Sequence, residues 1–419
     1  MGYVAAKGGL EAILAAEALV RNKRLGGDTA PLADEQILER QRLAVDRVMG
    51  EAGLWAPELA AATIRQAEGD VIEASQLLRS HRSTLPRFAY SFPTHIDRSR
   101  LVRRIVPAYR QPPGSQLLGR TLDYVGRLID RSVSDPLPLP STRSKRERED
   151  ATMTGTDTTA DALGEVAVDT AKPTIDRSPQ RLLDLLRKLD LVVDRRRTDD
   201  PEPYDITRQP VRPGVPRSAV LSTMARGETG ALVNLWYRNI LGPDNHLHEI
   251  TLGEVRHGAL PVEIVNPTTG NVISIGEIRT TEVEAIEDLN GADEDRARFD
   301  VGFGVCFGHN ERKAIAMANL DIAVSRDAGS TSLEQSVLMT TDGLDASGFL
   351  EHLKLPHYVT FRSMVERKMA VRDAAALRSH AKAGATAATF GQTEMEPNPK
   401  RADKPIPAMA EASGVGVTP

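Results

Sequence analysis

The ten residues from Phe299 to Gly308 constrain the fold more than any other stretch of the sequence. Large and small residues alternate strictly along it, with Phe or Val at every odd position and glycine at 302, 304 and 308. Such alternation is typical of a β-strand with two different faces. A row of glycines leaves room for another backbone or a ligand to come close. The sequence therefore predicts a sheet with a close approach on its glycine face.

The elements around this strand predict an α+β fold. Before residue 81, apolar residues at helical spacing and residues that can start a helix predict four helices. These helices begin near Leu10, Asp34, Pro57 and Asp70. Further helical patterns cover 116–129, 181–193, 218–235, 311–325 and 358–372. Strand composition covers 261–265, 272–275 and 277–284. We expect an N-terminal helical domain followed by a mixed α/β C-terminal domain with a mostly antiparallel sheet.

Composition divides the chain into four parts. Residues 1–131 form the helical N-terminal domain, which includes a basic segment at 79–110. Residues 132–180 are rich in Pro, Ser, Thr and charge, which is typical of a flexible insert. Residues 181–372 form the α+β domain, which carries the catalytic and metal sites. Residues 373–419 are predicted to be a disordered tail.

Charge and cysteine content exclude several classes of protein. The 419 residues carry a net charge of -5, so nothing draws the whole chain to nucleic acid or to a membrane surface. The single cysteine, Cys306, excludes an internal disulfide framework and fits a reducing compartment. No apolar run approaches the roughly 18 residues of a membrane span. We expect a cytoplasmic protein.

The basic segment 79–110 is a candidate site for phosphate groups. It holds eight arginines against one acidic residue, Asp97, and four aromatic residues lie between them. Arginine offers paired donors that match phosphate oxygens, so the segment could grip a polyphosphate or a nucleic-acid backbone. A solvated basic face or a subunit contact explains the same pattern.

Two further patterns predict small binding sites. Arg312 and Lys313 lie in the first turn of a predicted helix, where the positive end of the helix dipole repels their charges. A bound anion would offset this repulsion. His352 and His357 lie five residues apart around Pro356, which predicts a bent, non-helical segment. Two imidazoles on such a bend can converge on one metal ion. Alternatively, they are surface histidines with local hydrogen bonds.

Several motifs, in the same order, resemble the PhnI family of the bacterial carbon–phosphorus lyase system. The resemblance covers roughly residues 1 to 370, outside the insert. It rests on Tyr3-Val-Ala-Ala-Lys-Gly-Gly9, Ala44-Val-Asp-Arg-Val-Met49, Gln116-Leu-Leu-Gly119, Asp123-Tyr124, Gly276-Glu277, Thr281-Glu282, Gly302-Phe-Gly304, Glu311-Arg-Lys-Ala314 and His352-Leu-Lys-Leu-Pro-His-Tyr358.

The resemblance implies an activity on nucleotides. With PhnG, PhnH and PhnL, the subunit replaces the purine of MgATP by an alkylphosphonate, which gives ribose 1-alkylphosphonate 5-triphosphate and adenine. Alone, it is expected to release the base with water. It also implies that His352 and His357 bind Zn²⁺ near a contact with PhnJ, that Mg²⁺ arrives with the nucleotide, and that two copies assemble in a two-fold core complex that includes PhnK.

The chemistry implied by the resemblance requires a proton donor for the purine and cations for the triphosphate. Candidate catalytic carboxylates are Glu277, Glu282 and Asp342, although structural ion pairs would explain them equally well. Candidate cations are Lys7, Arg312 and Lys313. Two other functions stay open: a non-catalytic scaffold that assembles the phosphonate-degrading complex, and nucleic-acid binding through residues 79–110, which we rank last.

Overall fold

The computed structural model describes residues 9–129, 179–193, 199, 201–240, 250–288, 297–326, 331–355 and 357–390. Its helices are α1 Gly9–Leu25, α2 Asp34–Arg40, α3 Arg42–Ala52, α4 Pro57–Gln66, α5 Val71–Thr84, α6 Leu182–Lys188, α7 Arg217–Arg226, α8 Thr229–Ile240, α9 Glu311–Arg326, α10 Thr331–Thr340, α11 Gly343–Leu353 and α12 Tyr358–Phe390. Its strands are β1 Arg100–Ile105, β2 Ile250–Val265, β3 Val272–Asp288 and β4 Phe299–Phe307.

The first helices form where the sequence predicts them. Pro57 occupies the first turn of α4, where its missing N–H costs nothing. The Asp70 side chain accepts hydrogen bonds from the backbone N–H groups of Ile72 and Glu73 and so caps α5. One prediction is wrong in detail: the helix expected from Asp34 breaks at Gln41 into α2 and α3. Helices α2 to α5 enclose a core of their own.

The four strands form one antiparallel sheet in the order β1-β2-β3-β4. This arrangement confirms the predicted α+β class. Strand β1 comes from the basic segment of the predicted N-terminal domain, and it pairs with β2 of the predicted C-terminal domain. The two segments predicted on β3 are one continuous strand.

The glycine face of β4 packs against helix α9. Of the two neighbours that the sequence allows there, a backbone or a ligand, the structure shows the backbone of α9. A Cβ atom at Gly302 would lie 1.8 Å from the Ala318 carbonyl oxygen, and one at Gly304 would lie 2.1 Å from the Ala314 carbonyl oxygen. Only glycine permits this approach. The main hydrophobic core lies at this contact and includes Met317.

Several other predicted elements need correction. No helix forms over 116–129, because Leu117 exchanges two backbone hydrogen bonds with Arg104 and is drawn to β1. The helix predicted over 218–235 is two helices, α7 and α8. The helix predicted over 181–193 is the shorter α6, and the one predicted over 358–372 is the longer α12, which continues to Phe390.

The chain divides into two compact units, residues 7–354 and residues 355–419 with 1–6. The described part of the second unit is almost entirely α12. The predicted insert lies outside the described residues, apart from Pro179 and Gln180, and so does the end of the predicted tail. Among the helices that the structure describes, none has the length and apolar character needed to cross a bilayer.

Candidate functional site

Two stacked histidines lie where β4 ends and α9 begins. His309 follows Gly308, whose φ of +70° turns the chain out of the strand. The His309 ring stacks on the ring of His257 from β2, with the ring centroids 4.7 Å apart and an interplanar angle of 18°. His257 is buried and lies opposite Thr281 of β3. The sheet thus brings two distant imidazoles together at one end of α9.

Hydrogen bonds assign a tautomer to each ring. The Nδ1 of His257 lies 3.0 Å from the Thr280 carbonyl oxygen, which only accepts, so this nitrogen carries the hydrogen and Nε2 is an acceptor. The Nδ1 of His309 accepts from Arg42 Nη1 at 2.8 Å, so its Nε2 carries the hydrogen. Burial and the neighbouring His309 and Arg42 lower the pKa of His257 to about 3, which keeps that ring neutral.

Two carboxyl groups beside the histidines have opposite character. Burial raises the pKa of Asp46 on α3, although the His309 backbone N–H donates to this carboxyl. Burial alone would also raise the pKa of Glu311, but hydrogen bonds from His309 and Arg103 lower it below its ordinary value. Carboxyl groups whose pKa values are pushed apart are typical of an acid and base pair. We call these four residues, His257, His309, Asp46 and Glu311, the histidine cluster.

The basic segment reaches this cluster through Arg103. Arg103 bonds Glu311, and its Nη2 donates to Asp123 at 2.5 Å. Six of the eight arginines in the segment pair with a carboxylate: Arg79, Arg87, Arg98, Arg100, Arg103 and Arg104. The segment is therefore largely occupied by bonds within the chain.

The predicted carboxylates lie apart from the histidine cluster, and each has an arginine partner. Arg181 donates to both oxygens of Glu282, at 2.5 and 3.0 Å, in a buried network on the sheet. The exposed Glu277 accepts from Arg100 at 2.9 Å. Asp342 accepts from Arg79 at 2.7 and 2.8 Å and also from the N–H of Leu344, which it caps at the start of α11.

The predicted cations lie in different surroundings. Lys7 is outside the described residues. Arg312 is exposed at the start of α9. Lys313 is completely buried, and its Nζ has no hydrogen-bond partner in the part of the chain that the structure describes. Burial lowers the pKa of Lys313, while Cys306 and Glu51 act in the opposite direction.

The predicted zinc ligands belong to different compact units of the chain. His352 is exposed in the last turn of α11, so the expected non-helical conformation is wrong for this residue. His357 is exposed just before α12, and its Nδ1 lies 2.5 Å from the Leu355 carbonyl oxygen. That contact makes Nδ1 the donor and leaves the lone pair on Nε2, as a metal ligand requires. Among the described residues, no three His, Cys, Asp or Glu side chains form a metal-binding group.

A cleft of about 270 Å³ opens between the helical bundle and the free edge of the sheet. Helices α3, α5 and α7, the loop at Ile206 and Thr207, and strands β3 and β4 line it. Most of the wall is apolar, and the charged groups in it are Arg82 and Arg226. Lys313 lies behind Gly50, whose Cβ position would be 3.7 Å from Nζ.

Sequence reasoning missed the histidine cluster. His309 has one usable signal, because it stands directly after the glycine strand and before a helix, where strand ends often carry functional side chains. Nothing in the spacing links it to His257 or Asp46. Those contacts depend on strand pairing and on the packing of α3 against the end of β4.

Comparison with known proteins gives consistent matches over most of the chain. Residues 2–375 match the family model described as bacterial phosphonate metabolism protein (PhnI). HtxH of Stutzerimonas stutzeri, a candidate C-P lyase subunit protein, is 40% identical over 383 residues, which are 90% of this chain and 97% of HtxH.

Two further relatives are each named alpha-D-ribose 1-methylphosphonate 5-triphosphate synthase subunit PhnI. The protein of Rhizobium meliloti is 35% identical over 384 residues, 89% of this chain and 96% of its own length. The Escherichia coli protein is 36% identical over 371 residues, 87% of this chain and 96% of its own length.

Proposed function

The chain belongs to the PhnI family of bacterial phosphonate metabolism proteins, and from this we propose that it is the subunit of a C-P lyase system that exchanges the base of a nucleotide. The reaction replaces the purine of MgATP by an alkylphosphonate. The names of two relatives support it, because ribose 1-methylphosphonate 5-triphosphate is the product of such an exchange.

The exchange makes one bond and breaks one. A phosphonate oxygen forms a bond to C1 of the ribose, and the bond from C1 to the purine nitrogen breaks with its electron pair going to the base. The departing purine takes up a proton and leaves as adenine. Positive charge builds on the ribose in between, as in glycoside hydrolysis. The site must therefore supply a proton and stabilise a cation.

The histidine cluster is the observation that carries this proposal. Asp46 holds a proton more readily than an ordinary aspartic acid and is the proposed proton donor. Glu311 is the ionised carboxylate, and the neutral His257 offers an acceptor nitrogen. His309 contacts both carboxyl groups: its backbone N–H donates to Asp46, and its Nε2 lies 3.3 Å from Glu311 Oε1. The predicted carboxylates Glu277, Glu282 and Asp342 stay candidates that the same assay tests.

Zinc at His352 and His357 also stays a proposal. Bound there, the ion would act as a Lewis acid toward phosphonate or phosphate oxygens. Its remaining ligands would come from water, a partner subunit or other residues of the chain. Metal analysis of the purified protein tests it: zinc retained after the double change His352→Ala, His357→Ala would contradict it.

Base release tests the function directly. The purified chain is incubated with MgATP, with and without PhnG, PhnH, PhnL and methylphosphonate, and free adenine is measured by chromatography. We expect adenine in the complete mixture and a loss of about 100-fold or more in Asp46→Asn, the usual range for a general acid. Glu263→Gln, remote from the histidine cluster, is the matched control.

Two outcomes would contradict this assignment. Adenine release that is unchanged in both Asp46→Asn and His309→Gln would remove the histidine cluster from the mechanism. No adenine in any mixture would favour the scaffold, in which this subunit only assembles the complex. The remaining partners, PhnJ and PhnK, and the two-fold assembly are tested by co-purification and mass measurement.

A further inference from the structure

The lining of the cleft beside β4 carries positive charge only. No acidic side chain lines it among the described residues, whereas Arg82 and Arg226 both do. These two arginines meet at Gly53: a Cβ there would lie 3.0 Å from Arg82 Nη1 and 3.7 Å from Arg226 Cγ. The charge of Arg226 repels that of Arg82, and an anion bound between them would offset this repulsion.

The nearest carboxylate is already used. Asp342 binds Arg79 through both of its oxygens, and Arg226 Nε reaches it only at 4.0 Å. Arg82 donates its hydrogen bond to a backbone oxygen, that of Ala52. Burial, followed by repulsion from neighbouring arginines, lowers the pKa of both Arg82 and Arg226.

Lys313 adds a third cation behind the wall of the cleft. Its Nζ is fully buried, and among the described residues it has no hydrogen-bond partner. A buried amine without a partner costs free energy, so its retention calls for a reason. Gly50 lines the cleft, and a Cβ atom there would lie 3.7 Å from Nζ, so the charge of Lys313 acts on the cleft from just behind its wall.

The rest of the lining is apolar. Val305, Phe307 and Ala225 contribute to it. A ligand that matches this lining has a compact anionic head and an apolar body. Binding sites with mostly apolar walls and a few converging polar groups are typical for small molecules.

We propose that the cleft binds a small organic oxyanion, a phosphonate or phosphate monoester, with its oxygens on Arg82 and Arg226 and its substituent against Val305 and Phe307. Lys313 supplies the third positive group, at the Gly50 end of the cleft. The choice of an organic oxyanion rests on the lining alone. The choice of an alkylphosphonate among such anions rests on the proposed function.

Binding to the full-length chain, measured by calorimetry without nucleotide or partner subunits, tests the proposal. The probes are inorganic phosphate, methylphosphonate, propylphosphonate and adenosine monophosphate. We expect affinity to rise about fourfold for each methylene group that the apolar wall buries. Arg82→Gln and Arg226→Gln should each weaken propylphosphonate binding at least tenfold, as expected for a charged hydrogen bond. Arg65→Gln, in a remote ion pair, is the matched control.

The outcomes show both whether the site exists and which ligand it binds. Tightest binding of adenosine monophosphate supports the site and assigns it to the nucleotide, and tightest binding of propylphosphonate assigns it to the phosphonate. Inorganic phosphate binding as tightly as propylphosphonate would overturn the proposal, and so would no binding at all. Adenine release without phosphonate binding would contradict the oxyanion site in the cleft and leave the proposed function intact. Phosphonate binding without adenine release would contradict the proposed function and leave the site intact.

Discussion

Charged side chains are buried or half-buried in two regions of the protein, and their surroundings differ. On one face of the sheet, arginines and glutamates pair in equal numbers: Arg104, Arg181 and Arg256 with Glu254, Glu282 and Glu284. We call these six residues the sheet network. In the cleft, Arg82 and Arg226 line the wall, Lys313 lies behind it, and no acidic residue is among the described residues of the lining.

This difference distinguishes charges that stabilise the fold from charges that we propose bind a ligand. A buried ion pair stabilises the fold only while both partners are present, so the members of the sheet network depend on one another. The cations of the cleft are paired less completely: Arg82 donates to a backbone oxygen, and Arg226 lies 4.0 Å from an aspartate that Arg79 already binds. Lys313 has no hydrogen-bond partner among the described residues, although the charges of Glu51 and Glu228 oppose the lowering of its pKa. Substitutions that change one region and leave the other intact can test this distinction.

The largest expected effect follows from removing Arg181. Arg181→Met leaves Glu282 and Glu284 buried without their cation, and breaking a buried pair in this way costs about 3 to 5 kcal/mol. The free energy of unfolding in urea measures this loss. Arg98→Met, which removes an exposed partner of Glu263, is the control and should leave the unfolding midpoint almost unchanged. Equal effects of the two changes would contradict a structural role for the network.

Moving α9 should affect the cleft more than the sheet network. Gly304→Ala places a Cβ against the Ala314 carbonyl oxygen and pushes away the helix that carries Lys313. Overpacking of this kind costs about 1 to 3 kcal/mol. We also expect weaker propylphosphonate binding, measured by calorimetry. Gly27→Ala, which meets no atom within 4 Å, is the control. A variant with unchanged stability would show that the helix has room to shift.

The pH dependence of stability identifies the weakest member of the sheet network. Burial, together with the neighbouring Glu282, raises the pKa of Glu284 to about 7, so the folded protein holds a proton there that the unfolded chain releases near pH 4.5. Stability from this group is complete below pH 4.5 and falls as the pH rises toward 7, by at most about 1.4 kcal/mol per pH unit. Glu284→Gln should flatten that part of the profile. An unchanged slope would mean that Glu284 is ionised throughout.

The smallest expected change in stability follows from replacing Lys313. Lys313→Met keeps the length of the side chain and removes an amine that has no hydrogen-bond partner among the described residues. Replacement of a buried charge by an apolar group of similar size is often neutral or stabilising. We expect an unfolding free energy within about 1 kcal/mol of the wild type or above it. A loss as large as that of Arg181→Met would place Lys313 among the structural charges.

Local patterns predicted much of the fold. The alternation along Phe299–Gly308 identified the strand and the close approach of α9, because both depend on adjacent residues. The helix predicted over 116–129 failed because Leu117 pairs with Arg104, a tertiary contact that overrides helical spacing. The prediction of a non-helical His352 also failed, because it overestimated how far the effect of Pro356 reaches back along the chain.

The candidate site was harder to predict, because its contacts join distant parts of the chain. The basic segment has only one acidic residue of its own, so its composition predicted arginines without acidic partners. In the structure, distant parts of the chain supply these partners: Arg79 pairs with Asp342 and Arg104 with Glu254. Nothing in the sequence distinguishes Arg82, which donates to the backbone oxygen of Ala52, from the arginines that pair with carboxylates. Lys313 was identified as a cation for an anion site, but its burial could be seen only once α9 was placed on β4.

One measurement distinguishes paired structural charge from the cations of the cleft: the change in unfolding free energy that saturating propylphosphonate causes in Arg181→Met and in Lys313→Met. A ligand that binds only the folded state raises this free energy in proportion to the logarithm of its concentration relative to Kd. We predict that Arg181→Met is destabilised but keeps the wild-type increase, whereas Lys313→Met is stable and loses most of it. The reverse pattern, a destabilised Lys313→Met that keeps the full increase, would contradict the distinction between paired structural charge and the cations of the cleft.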